Sequence, residues 1–189
     1  DGLEYLGEAV AVCKRLGDMR KLVKLLQLEA VLLHFGTRLD DAAVKLAEAE
    51  STASANNDDL GLAVTLRMSS YLCLYQGQFD KASSFAGRSQ RVFHKLGDVG
   101  GEGTAALADA LACLPVDEEA GRVAIREAQQ LFQDAGDLCG EADLLLLISE
   151  LDFDAERYDE SLAAASGCRD LRKELKDKSG ESKATHLIA

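Results

Sequence analysis

A glycine-rich run is the first candidate for a functional motif, because it could bind phosphate. Residues 97–103 read Gly-Asp-Val-Gly-Gly-Glu-Gly. Glycine-rich loops that bind nucleotide phosphates follow a strand and end in a lysine followed by serine or threonine. This run lacks that ending, and the residues before it do not read as a strand. Nearly the same pattern returns at residues 136–141, as Gly-Asp-Leu-Cys-Gly-Glu. We therefore interpret both runs as turns between helices.

Histidines and cysteines, the usual metal ligands and nucleophiles, are scattered along the chain. The histidines are His34, His94 and His186, and the cysteines are Cys13, Cys73, Cys113, Cys139 and Cys168. A zinc site needs three or four converging ligands, and the sequence has neither a Cys-x-x-Cys nor a His-x-x-x-His pair. Single, dispersed thiols are typical of small core residues in a reducing compartment. The sequence thus predicts no metal site, no cofactor and a cytoplasmic location.

Two acidic runs could supply paired carboxylates for acid–base chemistry or for a calcium loop. Residues 117–119, Asp-Glu-Glu, suit the first turn of a helix, where the helix dipole favours negative charge. Residues 152–156, Asp-Phe-Asp-Ala-Glu, lack the twelve-residue ligand order of a calcium loop. No catalytic group is predicted, and we expect that the protein is not an enzyme.

The charge of the chain excludes two classes of partner. The formal net charge is −12, whereas nucleic acids and anionic membranes are bound by clustered lysines and arginines. Residues 18–97 carry 10 basic and 9 acidic side chains, but residues 98–176 carry 7 basic and 19 acidic ones. We therefore expect no nucleic-acid or membrane binding, and we expect a basic partner segment facing the acidic C-terminal half.

The elements that carry these residues repeat about every 40 positions. An aspartate marks each repeat, with spacings of 40, 40, 39 and 40 residues between Asp18, Asp58, Asp98, Asp137 and Asp177. Three residues later stands Gly61, Gly101, Gly140 or Gly180, with Lys21 as the exception. Twelve residues after the aspartate the side chain is small, as Ala30, Ser70, Ala110 and Ser149. Such a period indicates an array of stacked supersecondary units.

Each junction combines a helix stop with a helix start. A glycine supplies the left-handed conformation that closes a helix, and the following aspartate caps the next one. The spacing predicts helices A at 20–35, 60–75, 100–113 and 139–154, and helices B at 40–55, 80–95, 117–134 and 159–175. The small residues let facing helices approach closely. Their predicted partners in helix B are Ala42, Ala82, Gly121 and Ser161.

Two helices per repeat, a small residue in the middle of helix A and an apolar residue plus aspartate before helix B resemble the tetratricopeptide repeat, in an extended variant. The repeats are 18–57, 58–97, 98–136 and 137–176 within one array over 1–189. The resemblance implies an all-α solenoid of antiparallel helix pairs wound into a right-handed superhelix. The family's proline near the end of helix B is absent from every repeat.

Both ends fall within a repeat. Residues 1–17 resemble a helix B and residues 177–189 the start of a helix A, and the first residue is Asp1 rather than methionine. Terminal repeats normally need a polar cap, and no cap is visible in the sequence. We expect a longer parent array, and end-to-end self-association through uncapped ends is a further expectation.

In this family, partner proteins or peptides lie along the concave surface that helices A line. Carried over by register, the resemblance implies a binding face of Lys24, Gln27, Val31, His34, Phe35, Val64, Arg67, Tyr71, Leu74, Tyr75, Leu107, Leu111, Asp143, Leu146, Glu150 and Phe153. Its charge runs from basic at Lys24 and Arg67 to acidic at Asp143 and Glu150. That gradient favours an extended partner with one acidic and one basic end.

These observations favour a non-enzymatic scaffold for protein–protein interaction. Two alternatives stay open at this stage. One is a regulatory sensor array that binds a small ligand or a signal peptide. The other is a solenoid appendage of a larger enzyme whose catalytic domain lies outside this chain.

Overall fold

Helix-forming residues and regularly spaced turns divide residues 2–188 into ten helices. The computed structural model describes residues 2–188, so Asp1 and Ala189, the outermost positions of the predicted partial repeats, lie outside it. The helices are α1 Gly2–Leu16, α2 Met19–Phe35, α3 Leu39–Ala55, α4 Asp59–Tyr75, α5 Phe79–Leu96, α6 Val99–Cys113, α7 Glu118–Ala135, α8 Leu138–Asp154, α9 Tyr158–Glu174 and α10 Lys178–Ile188. All eight predicted helices are confirmed, with ends within one residue. None of the helices in residues 2–188 is long and apolar enough to cross a membrane.

The predicted aspartate caps are confirmed. Asp18, Asp58, Asp98 and Asp177 each accept a hydrogen bond from the backbone N–H three residues later, and Asp137 accepts from two backbone N–H groups. These bonds satisfy donors that a helix N-terminus otherwise leaves free. The residue before the cap has positive φ in every repeat, whether it is glycine or not. It is Gly17, Asn57, Gly97, Gly136 or Lys176.

The glycine three residues after the aspartate has a packing role. A Cβ at Gly101 would lie 2.6 Å from Cε1 of Phe93, and one at Gly140 would lie 2.8 Å from Cζ of Phe132. Both phenylalanines come from the preceding helix B and are buried. Only glycine lets an aromatic ring pack directly beneath the first turn of the next helix.

The small residues of helix A bring the two helices of a repeat together, as predicted. The Ser70 hydroxyl donates to the Ala82 carbonyl at 2.8 Å, and the Ser149 hydroxyl donates to the Ser161 carbonyl at 3.0 Å. The Ser161 hydroxyl donates back to the Ser149 carbonyl at 2.8 Å. Buried hydroxyls need such partners, because an unsatisfied one is costly.

Helices A and B form two layers of unequal spacing. Each of α2, α4, α6 and α8 has Cα atoms within 8 Å of the next helix A, which is α10 for the last of them. Within residues 2–188, no two helices B approach that closely. Long side chains bridge the helices B instead, as in the 2.6 Å ion pair between Lys14 and Glu48. The closer layer of a curved array lies inside. The chain is thus an all-α solenoid, and we call the solvent-facing side of α2, α4, α6 and α8 the inner surface.

Candidate partner-binding surface

The predicted face divides by exposure. The exposed residues are Lys24, Phe35, Tyr75, Asp143, Glu150 and Phe153. The half-buried ones are Gln27, Val31, His34, Val64, Arg67, Tyr71, Leu74, Leu111 and Leu146, and Leu107 is buried. The predicted face is thus exposed in the first two repeats and in the fourth. In the third repeat its members, Leu107 and Leu111, are buried or half-buried.

Four apolar members of the predicted face contribute mainly to packing. Leu107 belongs to the core formed by α6, α7 and α8. Val64, Leu74 and Leu146 are partly buried and pack against other core clusters. Because helix A is covered on several sides, sequence periodicity alone does not separate these positions from the solvent-facing ones.

Two polar members of the predicted face hold neighbouring helices A together. The Gln27 side-chain amide donates to the Gly61 carbonyl at 3.1 Å and to the Thr65 hydroxyl at 2.8 Å. The Arg67 guanidinium donates to the Thr104 hydroxyl at 2.8 Å. Their hydrogen-bonding groups therefore link α2 to α4 and α4 to α6, which stiffens the inner surface.

A partly open cavity of about 130 Å³ lies between the first two repeats. Its walls come from α2, α3 and α4 and are almost entirely apolar. They are formed by Ala30, Val31, His34, Ala42, Leu46, Met68, Tyr71, Leu72 and Tyr75. An apolar cavity of about 150 Å³ can hold a benzene-sized group, so this one suits a single large apolar side chain.

Aromatic rings frame the mouth of this cavity. The His34 and Tyr75 ring centroids are 4.5 Å apart, and the His34 and Phe35 centroids are 5.7 Å apart. Tyr75 and Phe35 are exposed. Tyr71 is more buried, and this burial raises the pKa of its hydroxyl. Exposed aromatic residues beside an apolar cavity are typical of the anchoring region of a protein interface.

A second, wider groove of about 560 Å³ lies nearer the N-terminal ends of α2 and α4, whereas the apolar cavity lies towards their C-terminal ends. Arg20 and Lys24 line one side, and Asp58 and Asp59 line the other. Asp58 caps α4, and Asp59 forms an ion pair with Lys95 at 2.8 Å. Arg20 and Lys24 are exposed and make no ion pair with the described residues, so the groove offers two uncompensated cations.

The acidic end of the inner surface carries less unpaired negative charge than the sequence predicts. Asp143 forms an ion pair with Arg172, which also bonds Asp177 at 3.1 Å. Glu150 is exposed and makes no ion pair among residues 2–188. The charge gradient along the inner surface therefore rests on Arg20 and Lys24 at one end and Glu150 at the other.

The other reactive side chains include one polar cluster and several buried thiols. Over residues 2–188, no group of three or more potential ligand residues could hold a metal ion. Ser83, Asp109 and Cys113 do cluster, with the Ser83 hydroxyl donating to Asp109 at 2.6 Å. Burial raises the pKa of the Cys113 thiol, as it does for Cys73 and Cys168. A raised pKa keeps a thiol protonated and weakly nucleophilic.

Several surface residues were not predicted from the sequence. Leu60 and Leu96 line the wider groove, and Met68 lines the apolar cavity. Leu28 and Leu32 are 48% and 38% exposed on α2. The 40-residue register aligns Leu28 and Leu32 with Met68 and Leu72 of the next repeat, which pack against α2 and α3. That alignment is the signal that could have identified Leu28 and Leu32.

Comparisons with known proteins support the architecture. A scan against protein-family models finds no match, and neither does a search of the curated proteins. Among solved structures, the chain is similar to BtubC (BKLC) from P. vanneervenii, a helical repeat protein, with a TM-score of 0.81 and 18% sequence identity. The match covers 98% of this chain and 80% of BtubC. At this identity the likeness concerns the fold, and the chain is a helical-repeat protein.

Proposed function

We propose that the protein is a non-enzymatic scaffold of tetratricopeptide type that binds an extended partner segment along its inner surface. The observation that carries the proposal is the apolar cavity between α2, α3 and α4, which opens beside exposed aromatic rings. A separate groove nearer the N-terminal ends of α2 and α4 carries two cations that are unpaired among the described residues. A partner side chain buried in the cavity would gain about 25 cal/mol for each Å² of apolar surface removed from water. The predicted reducing, cytoplasmic location belongs to this proposal.

The charges on the inner surface predict in which direction the partner segment runs along it. Acidic residues of the partner would lie at Arg20 and Lys24, and an apolar side chain would enter the cavity beside Tyr75. Basic residues would follow towards Glu150 and the acidic C-terminal half. Such complementarity accelerates encounter and fixes the orientation of a segment more than it raises affinity.

The test is affinity capture from cells with three versions of the protein. Wild type is compared with Arg20→Glu/Tyr75→Ser, which changes two exposed side chains and removes no hydrogen bond within the fold. The matched control is Val123→Ser/Arg126→Glu on the outer helix α7, where both residues are exposed. Arg67 and Tyr71 are poorer choices, because Arg67 bonds Thr104 and Tyr71 is half-buried, whereas Tyr75 is exposed.

We expect the same partner with wild type and with the α7 control, and at least tenfold less of it with the inner-surface variant, the effect of losing about 1.4 kcal/mol. Circular dichroism establishes that all three proteins fold alike. Equal recovery by all three versions would contradict the proposal, and so would the absence of any saturable partner.

A further inference from the structure

The junctions between repeats determine how stiff the array is, because each repeat contacts only its neighbours. Two side-chain contacts recur from one junction to the next. We call the one on the inner surface the inner link and the one between helices B the outer link. The junction between repeats 98–136 and 137–176, the third junction, differs from the others in both.

The inner link starts nine residues after the aspartate that begins each repeat. In the first repeat this residue is Gln27, whose side-chain amide donates to the Gly61 carbonyl at 3.1 Å. In the second repeat it is Arg67, which donates to the Thr104 hydroxyl at 2.8 Å. In the third repeat the same position holds Leu107, which is buried and has no hydrogen-bonding side chain. The inner link therefore ends before the third junction.

The outer link joins each helix B to the next one across the gap between them. Glu50 of α3 forms an ion pair with Arg88 of α5 at 2.5 Å. The side-chain amide of Gln90 in α5 donates to Glu127 of α7 at 2.6 Å. Glu50 and Gln90 are 40 residues apart, and Arg88 and Glu127 are 39 apart across the one-residue deletion, so the two pairs are equivalent.

The third junction lacks the outer link as well. The two equivalent positions there hold Gln129 of α7 and Gly167 of α9, and glycine has no side chain to complete the pair. Within residues 2–188, no side-chain hydrogen bond or ion pair joins residues 98–135 to residues 138–176. The fourth junction is joined differently, because Arg172 of α9 bonds Asp177 at 3.1 Å.

Apolar side chains hold the third junction instead. Leu144 and Ile148 of α8 belong to one core cluster with α6 and α7. The Phe132 ring packs against both α6 and α8, since a Cβ at Gly103 would lie 2.9 Å from its Cδ1 and one at Gly140 would lie 2.8 Å from its Cζ. α7 also follows the next helix A less closely than any other helix B in residues 2–188 does. Apolar contact is non-directional, whereas a hydrogen bond weakens steeply as its angle changes, so this junction resists rotation least.

We propose that the array bends at the third junction, with the Phe132 ring as the pivot. Repeats 18–57, 58–97 and 98–136 then move as one body, and repeat 137–176 moves with α10 as a second body. Such movement of rigid bodies about a hinge is a common conformational change. The apolar cavity lies in the first body and Glu150 in the second, so bending changes the distance between the two ends of the proposed binding surface. The bending itself is a property of the free chain and does not rest on the proposed function.

Distance measurements between spin labels on the full chain, without any partner, test the proposal. Four exposed residues occupy equivalent positions on helices B, and they are Val44, Ser84, Val123 and Ala163. Each label is attached to a genetically encoded ketone-bearing residue, so the five native cysteines stay unchanged. The pair at 44 and 123 spans the first and second junctions, whereas the pair at 84 and 163 spans the second and third. We expect the distance distribution of the second pair to be at least about twofold wider.

Restoring the outer link tests whether its absence causes the bending. In Gly167→Glu, Gln129 gains a carboxylate to donate to, as Gln90 donates to Glu127. We expect this variant to narrow the distribution at 84 and 163 to the width found at 44 and 123. Gly167→Ala is the matched control, because it places the same Cβ, 3.3 Å from Cδ1 of Leu145, and removes the same glycine flexibility without adding a hydrogen-bonding group. It should leave the distribution wide.

Equal widths for the two label pairs in the wild-type sequence would overturn the proposal. A distribution that stays wide in Gly167→Glu, or that narrows as much in Gly167→Ala, would overturn the role of the missing link. Circular dichroism and thermal unfolding establish that the labelled proteins keep the fold.

Discussion

The contact between Phe132 and the first turn of α8 is a sharp test of how the repeats are packed. In Gly140→Ala, the new Cβ would lie 2.8 Å from Cζ of Phe132 and closer still to two other ring carbons. Phe132 is 0% exposed, so its ring has no free space to move into. Overpacking of this kind costs about 3 kcal/mol at the upper end, and the helix propensity of alanine returns up to about 1 kcal/mol.

We therefore expect Gly140→Ala to lower the free energy of unfolding by about 2 kcal/mol, which for a chain of this size is about 4–8 °C in Tm. The matched control is Gly87→Ala in α5, where the nearest atom to a new Cβ is Nη1 of Arg91 at 3.7 Å. That variant should gain about 0.5–1 kcal/mol from helix propensity. Urea unfolding followed by circular dichroism measures both.

A double-mutant cycle assigns the cost to the ring. Phe132→Ala alone should cost about 3–5 kcal/mol, and in that background Gly140→Ala should cost nothing further, because the obstacle has gone. If Gly140→Ala matched wild type in stability, or cost as much with Phe132 removed, the packing argument would be wrong.

Two further predictions concern titration and thiol reactivity. Hydrogen bonding from Lys21 lowers the pKa of Asp18, and the backbone N–H of Gly180 lowers that of Asp177. The two ionised carboxylates contribute their full stabilisation above the unfolded pKa of about 3.9, and this contribution is lost as the pH falls through the lower folded pKa. Asp→Asn at both caps keeps the hydrogen bonds and should flatten the acid side of a stability–pH curve. Cys139 is the exposed cysteine of the five, so iodoacetamide followed by mass spectrometry should label it well before the others, and faster labelling of any other thiol would contradict the structure.

The periodic part of the fold could be predicted from the sequence because the same short-range signals for helix starts and helix ends recur in each repeat. An aspartate that caps a helix acts within four residues, so its spacing marks helix starts without any tertiary information. The small residues at Ser70 and Ser149 could be recognised for the same reason. The packing role of Gly101 and Gly140 could not, because the rings that require it come from the preceding helix B.

The candidate site was less predictable because helix A is apolar on several sides. Register placed Val31, His34, Tyr71 and Tyr75 on the inner surface, and these residues do surround the cavity. The same register included Leu107, which is a core residue. Other walls of the cavity come from α3, and the gap between three helices depends on how the repeats stack rather than on the spacing within one helix.

The central claim is that a partner segment lies along the inner surface. The most direct test is site-specific photo-crosslinking in cells, with the photoreactive residue placed at 75 or 153 on the inner surface, or at 123 on the outer helix α7. The account predicts crosslinks to one and the same partner from positions 75 and 153. The peptide recovered at 75 should contain the apolar anchor residue, and the peptide recovered at 153 should lie nearer the partner's basic end. Crosslinks to that partner from position 123 alone, or from none of the three, would contradict it.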